Sequence, residues 1–333
     1  MNEIRTIVSD IKKGDIKPIY FLMGEEPYYI DKISDFIEEN VLDESEKGFN
    51  LQVMYGRDAT IEDIVSSAKR YPMMAERQVL IVKEAQDLSR SIEKLVAYAS
   101  NPQPTTVLVI NYKYKKLDKR KKLHKAIAKT GLVYESKKLY DNKVADWIRR
   151  VLSGKKYQIE PKAAQMLVEF LGTDLSKIAN ELDKLTLILP QETIINDTHI
   201  EENIGISKDF NNFELLKAIG DKNVVKANRI INYFVENPKN NPTIMTISLL
   251  NNFFTKLLLF HGLQNKSKDA VSKALGVNIY FVEDYFSASR NYPMRKVAQV
   301  ITMLRDADVK SKGVGANLTQ GDILKELIFK ILH

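Results

Sequence analysis

Hydrophobic and polar positions switch between two periods over the first 135 residues. Ile4, Ile7, Val8 and Ile11 recur at i, i+3, i+4 and i+7, which predicts a helix ended by Gly14. Pro18 to Met23 is a short apolar run closed by Gly24, the signature of a strand buried on both faces. Residues 27–40 place Ile30, Ile33 and Ile37 on one helical face. Phe49 to Met54 reads as a strand, and residues 60–70 as a short helix with Thr60 and Asp63 at capping-box spacing. Gln78 to Val82 and Thr105 to Ile110 are further apolar strands, with a helix predicted at 90–100 between them. A helix over 117–129 and a fifth strand at Leu132 to Tyr134 complete the alternation. Strands apolar on both faces and separated by single helices predict a parallel sheet covered on both sides.

From about residue 138 only the helical period continues. Leu139–Leu152, Pro161–Leu171 and Leu175–Leu189 are predicted helices, the last entered through the cap-like Gly172-Thr173-Asp174 and stopped by Pro190. Thr193 to Ile206 holds a weak helix. Helices then follow at 212–219, 223–236, 243–264, 268–275, 278–289, 294–311 and 320–332, with Pro238-Lys239-Asn240-Asn241-Pro242 as the clearest break. The expected organisation is an α/β domain at 1–138, a small helical domain at 139–207 and a larger helical domain at 208–333.

Composition narrows the chemistry. The 333 residues contain no Cys, which removes disulfides, thiolate zinc sites and thiol nucleophiles. His124, His199, His261 and His333 are scattered, without the spacing of a metal site. The N-terminal Met1-Asn2-Glu3-Ile4-Arg5 carries an acid and is followed by no apolar targeting segment, and Ile247–Phe260 is too short and too polar for a membrane span, so a cytoplasmic location away from membranes is expected. Fifty Lys and Arg against 43 Asp and Glu leave a net charge of +7, compatible with a nucleic-acid partner.

A parallel α/β domain followed by a small helical one is the layout of many nucleotide-driven ATPases, whose first strand runs into GxxxxGK[ST]. Counting from Gly24, the second glycine position is Tyr29, the lysine position Ile30 and the hydroxyl position Asp31. A bulky ring, a lost cation and a carboxylate all oppose phosphate. The metal-binding acid expected after the third strand is replaced by Lys83, before Glu84. Asn111 closes the fourth strand, where such ATPases often keep a polar sensing residue. No GxSxG or GxGxxG occurs, so neither catalysis nor a cofactor is expected.

Several stretches in this order resemble the delta-subunit family of the bacterial DNA polymerase III clamp loader: Pro18 to Glu26, Arg77 to Val82, Lys116 to Leu123, Gly172 to Leu175 with Asn180 to Leu185, and Leu304 to Lys310. The resemblance covers essentially the whole chain. It implies a RecA-like, AAA+-type parallel-sheet domain that does not bind ATP, a helical lid domain and a helical collar domain for oligomerisation. It also implies a subunit that opens the ring-shaped sliding clamp (the beta subunit), together with ATP-binding clamp-loader subunits and a delta-prime subunit, for loading onto primer–template DNA. The family's partner subunits carry a zinc module that delta lacks, which agrees with the absence of Cys.

The resemblance places the clamp-binding element at Tyr71, Pro72, Met73 and Met74. The residues support that placement, because Pro72 breaks a helix where a connection must run over the surface, and Tyr and Met are effective contact side chains. Family members commonly carry Leu-Phe where this chain has Met-Met. The run Lys113 to Lys125 holds eight Lys and Arg, and Lys115, Lys116, Lys119, Arg120, Lys121 and Lys122 are candidate DNA contacts, with Tyr112 and Tyr114 interleaved. A solvated helix face is the simpler account of such a run. Trp147 is expected in the core of the second domain, and the apolar excess of Phe253, Phe254, Leu257, Leu258 and Phe260 suits either a core helix or a collar interface. The alternative function is a stand-alone nucleic-acid-binding regulator on a degenerate ATPase fold.

Overall fold

The computed structural model describes residues 2–207, 209–315 and 317–333. Met1 and Lys208, the first residues of two of the expected domains, lie outside the described residues. The chain divides into two compact units, Met1–Leu139 and Tyr140–His333.

The first unit runs α1 (Asn2–Lys12), β1 (Ile19–Gly24), α2 (Pro27–Asn40), α3 (Glu44–Asn50), β2 (Leu51–Tyr55), α4 (Ile61–Ala68) and β3 (Gln78–Lys83). Two 3₁₀ turns, Ala85–Leu88 and Ile92–Leu95, lead to α5 (Val96–Ser100), β4 (Thr106–Lys113), α6 (Lys122–Thr130) and β5 (Leu132–Ser136). All five strands are parallel, in the order β2-β3-β4-β1-β5. Side chains alternate across the sheet, as the two-faced apolar runs require. Tyr20, Leu22, Val107 and Val109 pack with Ile30, Ile33 and Ile37 of α2 on one face. Phe21, Met23, Leu80 and Leu108 pack with Ile64, Leu123 and Ile127 on the other.

Three expectations change. Phe49 belongs to α3, which begins with an Asp43/Glu46 capping box and displaces the start of β2 to Leu51. The helix predicted at 90–100 is split, with a 3₁₀ turn at Ile92–Leu95 and α-helix only over Val96–Ser100. The helix predicted at 117–129 starts five residues later. There the Asp118 carboxylate accepts from the Arg120 backbone N–H at 2.9 Å and from its guanidinium, which fixes a turn instead of a helix start.

The second unit contains α7 (Asp141–Gly154), β6 (Gln158–Ile159), α8 (Pro161–Leu171), α9 (Leu175–Ile188), β7 (Ile194–Ile195) and α10 (Asp197–Ile204). It continues with α11 (Asn212–Gly220), α12 (Val224–Glu236), α13 (Thr243–Gly262), α14 (Lys268–Leu275), a 3₁₀ turn, α15 (Val282–Asn291), α16 (Met294–Ser311) and α17 (Gln320–Leu332). The two-residue strands β6 and β7 pair in parallel, a feature too short to mark the sequence. Asp174 caps α9 as its position suggests, accepting from Ser176 and Lys177 N–H. Trp147 is buried. α13 is long and apolar enough to cross a membrane, yet Ile247, Leu250, Phe253, Phe254, Leu257 and Phe260 are buried in the helical core, where α13 meets α16 and α15.

A cavity of about 50 Å³ in this unit is lined by Met166, Glu169, Phe170, Phe210 and Asn212, among others. Burial there pushes the Glu169 carboxyl up to about 7, against smaller opposing effects of hydrogen bonds from Gln165 and the Phe213 backbone. Unfolding returns this acid to about 4.5, so its ionisation penalises the fold increasingly as pH rises from 4.5 to 7. Glu169→Gln is therefore expected to stabilise the protein by up to about 3 kcal/mol at pH 8, with the gain vanishing towards pH 4.5. Thermal unfolding of both forms across this pH range checks it.

Candidate functional site

The carboxyl ends of β1, β3 and β4 form the edge where an α/β sheet of this kind holds its ligand. In this chain that edge is filled by its own groups. Gly24 has φ +128°, and a Cβ there would lie 2.0 Å from the Ser136 carbonyl oxygen, so the strand end is tightly held. The first two N–H groups of this turn are already used. Gly24 N–H donates to Lys115 O at 3.0 Å and Glu25 N–H to Ser136 O at 2.9 Å. Glu26 caps α2, its carboxylate accepting from Tyr28 N–H at 3.1 Å. An anion at this helix start would meet a resident carboxylate.

The position expected to carry a metal-binding hydroxyl is Asp31, which pairs with Lys113 at 2.9 Å. Glu84, just past β3, pairs with the same ammonium at 2.7 Å and accepts from the Gln86 amide at 2.6 Å. Burial alone would lower Lys113 and raise Glu84. The hydrogen bonds between them, and those from Lys113 to Asp31 and from Gln86 to Glu84, outweigh it and hold both groups ionised. A lysine thus occupies the junction of the strand ends. Ile30 points into the core, and Asn111 is fully buried with neither side-chain polar atom hydrogen-bonded. Among the described residues no group of three His, Asp or Glu could hold a metal.

The connection from α4 to β3 has the opposite character. Tyr71 is 77 % exposed, Met73 58 % and Met74 102 %. Met74 adopts φ +53°, a left-handed conformation that costs a non-glycine residue about 1 kcal/mol. The loop is nevertheless well anchored. The Gln78 amide donates to Ser67 O, Arg70 O and Thr106 Oγ1 at 3.2, 2.6 and 2.8 Å. Thr106 Oγ1 and Tyr98 OH both reach Ala68 O. Midway, the Asn50 side chain exchanges two hydrogen bonds with the Met73 backbone. Phe49, next to Asn50, is 76 % exposed. Neither Phe49 nor Asn50 stands out in the sequence as part of this site; the Asp43-x-x-Glu46 pattern, which places α3 beside the loop, is the signal that could have drawn attention to them.

The basic run separates into different roles. Lys113 belongs to the internal ion cluster, and Lys116 bridges Glu25 at 3.2 Å and Glu135 at 3.0 Å. Arg120 is held by Asp118, and Lys115 reaches Ser89 Oγ at 2.7 Å. Lys119 and Lys121 have looser partners, Glu135 at 4.0 Å and Glu93 at 3.7 Å, and Lys122 is exposed at the start of α6. Tyr112 is not a stacking platform: its ring is buried 5.5 Å from that of Phe21. Tyr114 is exposed.

A five-stranded parallel sheet covered by helices on both faces places the first unit in the class of α/β domains similar to RecA/AAA+-like folds. Residues 20–137 match the family model for the DNA polymerase III delta subunit, and residues 209–330 match that for its C-terminal domain. The chain belongs to the DNA polymerase III delta-subunit family, components of the clamp loader of DNA replication. It is 26 % identical to the DNA polymerase III subunit delta of Bacillus subtilis over 91 % of its length and 90 % of the relative's. It is 19 % identical to a probable DNA polymerase III subunit delta of Aquifex aeolicus, over 81 % of this chain and 79 % of that one. The solved Bacillus subtilis DNA clamp loader delta protein shares the fold, with a TM-score of 0.56 and 24 % identity across 99 % of both chains.

Proposed function

We propose that this chain binds the sliding clamp and opens it for loading onto primed DNA, acting as a non-catalytic subunit. One observation carries this reading: Tyr71, Met73 and Met74 project together into solvent from a loop whose backbone is anchored at both ends and in the middle. Three large apolar side chains held outward are unfavourable in water unless a partner covers them. Pre-ordering the loop lowers the entropy cost of binding. The filled strand edge supports the view that ATP acts on neighbouring subunits and not here. In this reading residues 139–207 are the lid and 208–333 the collar that joins the ATP-binding and delta-prime subunits, and the protein works in the cytoplasm.

Clamp binding is tested on an immobilised clamp of the same organism. Tyr71→Ala is expected to weaken binding about tenfold, as for a moderate contact residue. An affinity equal to that of the unsubstituted chain would remove Tyr71 from the site.

The basic run adds a secondary DNA contact in this proposal. Lys119, Lys121 and Lys122 are its most available cations, because their neighbours Lys116 and Arg120 are already engaged. Replacing the three by Ala is expected to lower affinity for primer–template DNA and to flatten the slope of log K against log salt by about 2–3. Clamp binding should not change. A stand-alone nucleic-acid regulator would show the reverse ranking, with DNA affinity dominant and the Tyr71–Met74 loop irrelevant.

A further inference from the structure

We propose that Asn50 is a positioning residue for the clamp-binding loop, setting the projection of Met73 and Met74 without touching the partner itself. This rests on the reading of the loop given above. Asn50 ends α3, is separated from Met73 by 23 positions, and is buried. Its Oδ1 accepts from Met73 N–H at 2.7 Å, and its Nδ2 donates to Met73 O at 2.9 Å. Nδ2 also donates to Glu46 O at 3.2 Å, which ties the side chain back to its own helix. One amide therefore satisfies both backbone groups of Met73, much as a neighbouring strand would.

The consequence follows at the next residue. Met74 has φ +53° and its side chain is fully exposed, so the conformation is not imposed by burial of that side chain. A strained backbone persists only where its surroundings over-determine it. The latch at Met73 on one side and the Gln78 hydrogen bonds to Ser67 and Arg70 at the loop base on the other supply that constraint. Without Asn50, Met73 would lose two partly buried hydrogen bonds and Met74 would relax towards ordinary backbone angles. The two thioethers would then point in variable directions, and binding would bear the cost of ordering them. Aspartate at position 50 keeps the acceptor for Met73 N–H but has no donor for Met73 O, so it preserves half of the latch.

The test combines clamp affinity, amide hydrogen exchange and a mutant cycle on the full chain. Asn50→Ala should weaken clamp binding about tenfold and abolish the exchange protection of the Met73 amide, with Asn50→Asp intermediate in both. In a Met73→Ala/Met74→Ala background, Asn50→Ala should add nothing further, because its effect passes through those side chains. A purely structural role would leave its effect the same in both backgrounds. If the unsubstituted chain binds the clamp and Asn50→Ala binds equally well, the positioning role is overturned while the clamp reading stands. If the unsubstituted chain fails to bind the clamp, the clamp reading itself is overturned, and the positioning role falls with it.

Discussion

Replacing Met73 and Met74 together by Ala is expected to weaken clamp binding by about a hundredfold or more while leaving the fold intact. Full burial of one Met side chain contributes about 1.5–3 kcal/mol. Two such side chains correspond to about 10²–10⁴ in affinity at about 1.4 kcal/mol per tenfold. Both are exposed in the free chain, so their removal takes nothing from a core, and stability should shift by no more than about 0.5 kcal/mol. Titration of the double variant against the clamp, beside its thermal unfolding, measures both quantities. Binding unchanged by the double substitution would move the contact elsewhere on the molecule.

The second large effect concerns the strand end that replaces a phosphate loop. Gly24→Ala is expected to destabilise the first unit by about 3–5 kcal/mol. The added Cβ would sit 2.0 Å from Ser136 O and 2.8 Å from Ser136 N, both backbone atoms of the adjacent strand β5. It would also have to adopt φ +128°, which L side chains avoid. Relief by local movement would break the Glu25 N–H to Ser136 O hydrogen bond and part the β1–β5 ladder. Gly14→Ala is the matched comparison. Gly14 also has a positive φ, +82°, but nothing lies within 4 Å of its Cβ position, so only about 1 kcal/mol is expected. Denaturant unfolding of the two variants should separate them by several kcal/mol, and equal losses would show that crowding at Gly24 is not what holds this edge closed.

What the sequence makes legible follows from the range over which each feature acts. β1 is readable because five consecutive side chains, Ile19 to Met23, are buried and Gly24 ends the run, so the pattern is local and strong. The exact ends of α16 and α17 are readable for the same reason, with Pro293 and Thr319 just before them. The α3 helix escapes an apolar-period reading because its seven residues are mostly polar and exposed, and its formation rests on the Asp43/Glu46 capping box. The shortened α6 reflects competition from the Asp118 carboxylate for the Arg120 N–H, a side-chain effect that periodicity does not register.

The site divides in the same way. Tyr71 to Met74 is visible as an apolar run broken by Pro72 in a connection. Its latch is invisible, since Asn50 acts across 23 residues through two directional hydrogen bonds and leaves no spacing. The failed phosphate loop is visible by counting from Gly24, but the lysine that fills its place is not. Lys113 looks like the first of eight surface cations, and only the register of β4 beside β1 brings it between Asp31 and Glu84.

In the proposed function this chain holds the sliding clamp by itself, through a preformed loop and without nucleotide. Calorimetric titration of the purified chain into clamp from the same organism, with and without Mg-ATP, tests it most directly. Binding with the same affinity in both conditions is expected. No binding, or binding that appears only with ATP, would contradict it.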